Sequence, residues 1–247
     1  MKIIGVIPAR YQSSRFPGKP LAMICGHPMI WWVYQQVKKV EAFQDVCVAT
    51  DSEEIYNTCK ALDIHVVMTS SEHATGTDRL GEVALHSDGD FFVNIQGDEP
   101  LIEPEVIQSI IDYKVKYPEI EVINTMTALK DEKDAQRDSV VKVAAAENGD
   151  LLYLSRAAIP RSKKNEAVPY KKHLGLYGLS KEALLFYANA DRGMIESIED
   201  VEMLRFLENG YRIKIVEVCS ESIGVDLPED IEKVEAVIKQ REEDRNV

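Results

Sequence analysis

Positive charge is scarce in this chain: 29 lysines and arginines stand against 42 aspartates and glutamates, a formal net charge of −13. A field of that sign disfavours nucleic-acid backbones and anionic membrane surfaces. Any anionic ligand must therefore be captured by a local basic site. Cysteine is scarce too, and Cys25, Cys47, Cys59 and Cys219 show neither metal-site nor redox spacing. Cys47 and Cys219 alternate within apolar runs and read as buried free thiols, which suits a reducing compartment. No apolar run approaches membrane-spanning length. Residues 2–7 read as a short strand followed by a basic loop, not as an export signal. The expectation is a soluble, cytoplasmic protein with no membrane insertion. Nucleotide fingerprints are missing as well. Gly18-Lys19 is followed by Pro20 with no glycine at the upstream Walker spacing, and no G-x-G-x-x-G occurs. These absences disfavour P-loop NTPases and dinucleotide oxidoreductases.

What is present begins with residues 7–21, IPARYQSSRFPGKPL. Arg10, Arg15 and Lys19 crowd one loop shaped by Pro8, Pro17 and Gly18, directly after the first strand. Three cations so close repel one another, an arrangement that makes sense around a polyanion such as a nucleoside triphosphate. Gly18 lets backbone approach phosphate oxygens. A plain solvated basic loop is the alternative, but it sits poorly in so acidic a chain.

The 247 residues, 45% of them hydrophobic, suffice for one sizeable core. Strand-like runs at 2–7, 46–50, 65–68 and 91–96 alternate with helical periods at 28–40, 53–61, 77–86 and 104–117. Such alternation predicts an α/β fold, a mostly parallel sheet with helices on both faces. Strand-like 122–129, 140–146 and 151–155 follow, with a hairpin turn at Glu147-Asn148-Gly149-Asp150. The stretch 161–172 reads as a polar, lysine-rich loop, either a surface loop or one that partly closes over a substrate carboxylate. Then come a strand at 174–179, helices at 180–190 and 198–208, a strand at 213–218 and a final helix at 228–240. One domain spanning 1–247, with a β-rich excursion at about 140–180, is the simplest account.

Ligands of open parallel sheets bind beyond the carboxyl ends of the strands. Asp98 follows a buried strand and Gly97, where a carboxylate can hold magnesium together with phosphate oxygens and water. Asp226 has a similar setting, and the two could share metal; either could instead cap a helix or close a turn. Gly76-Thr77-Asp78-Arg79 opens a helix suited to a base or phosphate contact, or Thr77 is a plain N-cap. Gln96 offers a pyrimidine edge both a donor and an acceptor, or merely ends its strand. His173, beside Lys171 and Lys172, is structural on the bland reading. Trp31 and Trp32 read as core and interface packing.

Together these segments resemble the 3-deoxy-manno-octulosonate cytidylyltransferases, or CMP-Kdo synthetases. IPARYQSSRFPGKPL, VATDSEEI, HATGTDRLGEV, VNIQGDEPLI, VVKV, YLSRAAIP, KHLGLYGLS, EMLRFLENG and IGVDLPEDIEKVE occur in the family's order. The resemblance implies a single-domain, Rossmann-like nucleotidyltransferase fold. It also implies an enzyme joining CTP to a 2-keto-3-deoxy sugar acid, most readily Kdo, with release of pyrophosphate. By position it implies that Arg10, Arg15 and Lys19 bind the triphosphate and that Ala9, Thr75, Gly76, Arg79 and Gln96 surround the cytidine. It implies further that Asp98 and Asp226 hold Mg2+ and that Arg156, His173, Tyr177 and Glu202 face the sugar acid. Lys19, Arg10, Arg15 and Asp98 would carry the catalysis. Members are typically homodimers, and the excursion would supply the contact. The pathway implied is lipopolysaccharide or capsule synthesis. Two departures from the family pattern, Met203 and Gly178-Leu179-Ser180, are expected on the sugar side. Alternatives are activation of 8-amino-Kdo or a sialic-acid-like nonulosonate, or a non-catalytic nucleotide-binding homologue.

Overall fold

The computed structural model describes residues 1–13, 15–164 and 166–245. Strand β1 (Ile3–Ala9) lies at the centre of a sheet because it is apolar on both faces: Ile3 and Ile7 enter one core, Ile4 and Val6 the other. A short two-stranded hairpin, β2 (Met23–Ile24) with β3 (His27–Pro28), leads into α1 (Met29–Val37). Then follow β4 (Asp45–Thr50), α2 (Glu53–Ala61), β5 (Val66–Met68), α3 (Gly76–Leu85), β6 (Phe91–Asn94) and α4 (Pro104–Lys116). Helix α2 is capped by the Ser52 hydroxyl, which accepts from the Ile55 amide. The second half contributes β7 (Val122–Ala128), β8 (Lys142–Ala145), β9 (Leu151–Ser155), β10 (Lys171–Ser180), α5 (Lys181–Asn189), α6 (Met194–Glu199), α7 (Met203–Glu208), β11 (Ile213–Glu217) and α8 (Asp230–Arg245).

The sheet runs β11-β7-β10-β6-β1-β4-β5. Pairs β1–β4, β1–β6, β4–β5 and β7–β11 are parallel, while β10 enters antiparallel between β6 and β7. The result is the mixed, mainly parallel α/β sheet expected. The β8–β9 hairpin attaches to β10 where Lys142 pairs with Lys172. Its turn uses Gly149 at φ +80°, a conformation open to glycine. A third small core joins Ile24, Met29, Leu101 and Val225 to Val234 and Ile238 of α8. No helix among the described residues is long and apolar enough to cross a membrane.

Four expectations are corrected. The single helix at 198–208 is two, because Asp200 takes the left-handed conformation (φ 52°) and ends α6. Helix α3 is capped by Thr75, not Thr77. The Thr75 hydroxyl accepts from the Asp78 amide, and the Asp78 carboxylate accepts from the Thr75 amide. Cys219 is exposed, since it lies beyond the end of β11, whereas Cys47 is buried as expected. Asp226 does not cap the last helix: its carboxylate pairs with Arg15, and Asp230, the first residue of α8, accepts from the amides of Asp226 and Leu227 ahead of the helix.

Candidate active site

The carboxyl ends of β1 and β6 open into a cleft of about 530 Å³. Ala9, Arg10, Arg15, Lys19, Gly76, Gln96, Asp98 and Glu202 all line it, with Gln12, Ser13, Gly97 and Asp200. The basic loop is held by its own backbone: Gly18, at φ +68°, donates its amide to the Tyr11 carbonyl at 2.8 Å. That turn places Lys19 at the start of a 3₁₀ turn (Lys19–Leu21) and points it inward. Gly97 allows close approach, since a Cβ there would stand 3.0 Å from the Pro8 carbonyl oxygen.

Lys19 Nζ donates to Asp98 Oδ2 at 2.5 Å and to the Val225 carbonyl at 3.0 Å. The Val225 amide in turn donates to the Asp98 carbonyl at 2.9 Å. Residues 127 positions apart in sequence are thereby tied together, and Asp226 follows directly. Arg15 pairs with Asp226 at 3.0 Å across exposed ground. Arg10 donates to the Ala74 carbonyl at 3.0 Å. Two carboxylates thus stand among three cations at one mouth.

No group of three or more histidine, cysteine or acidic side chains suited to a metal occurs among the described residues. A pair of carboxylates is nevertheless what magnesium uses when substrate phosphates and water complete its shell. Both are hard oxygen donors, and the Lys19–Val225 linkage holds their segments side by side. Asp98 and Asp226 therefore fit such an ion. Glu99, next to Asp98, has its carboxyl pushed up to about 7, chiefly by burial and then by the Asp98 charge.

At the far side of the cleft, Glu202 closes the start of α3. Its carboxylate accepts from the Gly76 amide at 3.3 Å, the Thr77 amide at 3.2 Å and the Thr77 hydroxyl. Burial raises its pKa, against those hydrogen bonds. Thr75 spends its hydroxyl on Asp78 and on Tyr187. Gln96 Nε2 donates to the Gly175 carbonyl at 2.9 Å, as does Asn94 Nδ2 at 3.2 Å. Arg79 does not line the cleft. It is fully buried, paired with Asp51 at 2.9 Å and bonded to Thr69 and to the Ser70 carbonyl.

Arg156, His173 and Tyr177 adjoin this site without lining it. His173 and Tyr177 rings lie 5.6 Å apart, and His173 Nε2 is buried with no partner. Burial, then the nearby Arg156 charge, lowers the His173 pKa to about 4, so the ring is neutral at pH 7. Burial raises the Tyr177 pKa well above its usual value, reinforced by Glu202 and Glu99. The departing residues lie in the interior, not in the cleft lining. Met203 is fully buried with Leu204 and Phe206, Gly178 and Leu179 are buried strand residues, and Ser180 caps α5 through the Ala183 amide. Sequence reading passed over Asp200, Glu199 and Lys142. The left-handed turn at Asp200 carried no glycine or asparagine to announce it.

The family model described as cytidylyltransferase matches residues 4–215. The 3-deoxy-manno-octulosonate cytidylyltransferase of Geobacter metallireducens is 44% identical over 245 residues, spanning 95% of this chain and 96% of that protein. That of Solibacter usitatus is 42% identical over 239 residues, spanning 96% and 95%. A solved structure of CMP:2-keto-3-deoxy-manno-octonic acid synthetase complexed with CTP superposes with a TM-score of 0.93 at 37% identity, covering 98% of this chain and 100% of that one. A putative glucose-1-phosphate thymidylyltransferase from Bacillus anthracis, at 14% identity and a TM-score of 0.68, shares the fold.

Proposed function

The chain belongs to the cytidylyltransferases, in the 3-deoxy-manno-octulosonate group, and we propose that its cleft transfers CMP from CTP to the anomeric hydroxyl of Kdo. The observation that carries the reading is the meeting of Arg10, Arg15, Lys19 and Asp98 in one cleft at the ends of β1 and β6. The C2 hydroxyl attacks the α-phosphorus in line. A new oxygen–phosphorus bond forms, and the bond to the β-phosphate oxygen breaks. Pyrophosphate departs with the electron pair, and the hydroxyl proton passes to solvent. Magnesium, when bound by Asp98 and Asp226, would neutralise phosphate charge and lower the pKa of the attacking hydroxyl.

The protein's own contribution is positioning and charge. Arg10, Arg15 and Lys19 hold the triphosphate, and Arg15 and Lys19 stabilise the departing pyrophosphate. Both now pair with carboxylates, so triphosphate binding exchanges Asp226 and Asp98 for phosphate oxygens. Ala9, Thr75, Gly76, Arg79 and Gln96 make up the cytidine side, Gly76 through its backbone and Arg79 by holding the adjoining Asp51 and Thr69. Arg156, His173, Tyr177 and Glu202 make up the sugar side, with Arg156 facing the substrate carboxylate. We further propose a homodimer. The exposed apolar residues Leu152 of β9 and Met194 and Ile198 of α6 support it.

Pyrophosphate release from CTP and Mg2+ with Kdo, 8-amino-Kdo and a sialic acid tests the reading. Release with Kdo is expected; release with a sialic acid alone would replace Kdo as the acceptor, and silence with all three would overturn it. A charged hydrogen bond is worth about 1.5–3 kcal/mol. Lys19→Ala should therefore lower kcat/KM about ten- to a hundredfold, and Asp98→Asn should nearly abolish turnover. Near-wild-type rates in either variant would remove that residue from its role.

A further inference from the structure

The main chain of Arg156 is gripped by two charged side chains that the reaction does not use. Its amide donates to Glu199 Oε2 at 2.7 Å, and its carbonyl accepts from Lys142 Nζ. Glu199 Oε1 also accepts from the Ser155 hydroxyl at 2.7 Å. Lys142 is fully buried in β8, and its ammonium donates further to the carbonyls of Arg137 at 3.0 Å and Val140 at 2.7 Å. Three carbonyls thus satisfy its three donors.

The guanidinium is oriented with equal care. Nε donates to the Glu199 carbonyl at 2.6 Å, Nη1 to the Asp138 carbonyl at 2.8 Å and Nη2 to the Asp200 carbonyl at 3.0 Å. Two of these carbonyls are free to accept because α6 ends at the left-handed Asp200. Carbonyls carry partial charge only, so they aim the guanidinium without neutralising it. The ion pair Arg156 makes among the described residues, with exposed Asp200, is long at 3.9 Å.

A buried ammonium is costly even when fully bonded, and an apolar residue would suit a strand interior better. Its place against the Arg156 carbonyl calls for a reason beyond packing. We infer that Lys142 and Glu199 are positioning residues that clamp the Arg156 peptide and aim its unneutralised charge at the carboxylate of the sugar acid. The inference rests on the reading above that Arg156 faces the sugar.

Steady-state kinetics on Glu199→Ala, Glu199→Gln, Lys142→Met and Arg156→Lys tests it, with Kdo and its methyl ester as acceptors. Glu199→Ala and Lys142→Met should raise KM for Kdo tenfold or more while KM for CTP stays within twofold. Glu199→Gln, which keeps an oxygen acceptor, should recover part of that loss. The preference for Kdo over its ester should shrink in the same variants, because the ester has no charge for Arg156 to meet. Should Lys142→Met fail to fold, the two Glu199 variants decide the matter by themselves. Equal rises in both KM values, or an unchanged acid-to-ester preference, would overturn the clamp. If Arg156→Lys leaves KM for Kdo unchanged, the sugar-side reading of Arg156 falls, and the clamp with it; if it raises KM and the clamp variants do not, only the clamp falls.

Discussion

At the scale of single residues, burial decides which charged groups act on ligands and which on the fold. Lys19 and Asp98 keep part of their surface open to the cleft, whereas Arg79 has none. Removing one partner of so buried a pair leaves an uncompensated charge, which is where large losses of stability arise. His173 gives a residue-scale prediction. Its pKa falls from 6.5 to about 4 on folding, so the folded state favours the neutral ring. That contribution is fully present above pH 6.5 and is lost as pH falls towards 4. Denaturant unfolding at pH 7 and pH 4.5 should show wild-type protein losing on the order of 2 kcal/mol more than His173→Gln. An equal loss in both proteins would place the acid sensitivity elsewhere. The three loop cations and Asp98 were legible because they cluster within short, ungapped stretches. Lys142 was not: a lysine inside a strand pattern reads as an outward face, and only the surrounding carbonyls of Arg137, Val140 and Arg156 reveal it as buried.

At the scale of elements, periodicity located nearly every strand and helix, and errors fell where tertiary contacts overrule it. The apolar positions of α6 and α7 share one helical period, so the break at Asp200 left no trace in the pattern. Strand β10 begins at Lys171 instead of 174 because its polar start is paired with β7 along its length. Within β10, Gly178 is required by space and not by backbone conformation. An added Cβ would lie 2.5 Å from Ile110 Cγ2 and from Phe91 Cζ, both buried. Overpacking of this kind costs about 1–3 kcal/mol. Gly178→Ala should lower unfolding stability by that amount, read by urea titration. Unchanged stability would show that α4 and β6 can yield at this point.

At the scale of the molecule, the sheet order brings β1, β6 and the segment before α8 to one mouth. The third core beneath α8 then fixes Val225, whose carbonyl accepts from Lys19, and Asp226 follows it to pair with Arg15. The proposed dimer belongs to this scale too. Leu152→Glu with Ile198→Glu should convert a dimer into a monomer in sedimentation velocity at micromolar concentration. A wild-type monomer under the same conditions would set the dimer aside.

The sequence by itself determined the α/β alternation, the basic loop and the acidic turn after β6, because each depends on residues near one another along the chain. The tertiary structure decided which of them meet. Lys19 reaches a carbonyl 206 positions away, Gly76 meets Glu202 across 126, and Arg156 is held by Glu199 across 43. It also decided that Arg79 and Met203 belong to the interior. Such contacts follow from strand order and helix docking, and a local pattern carries no record of which distant segment will be its neighbour.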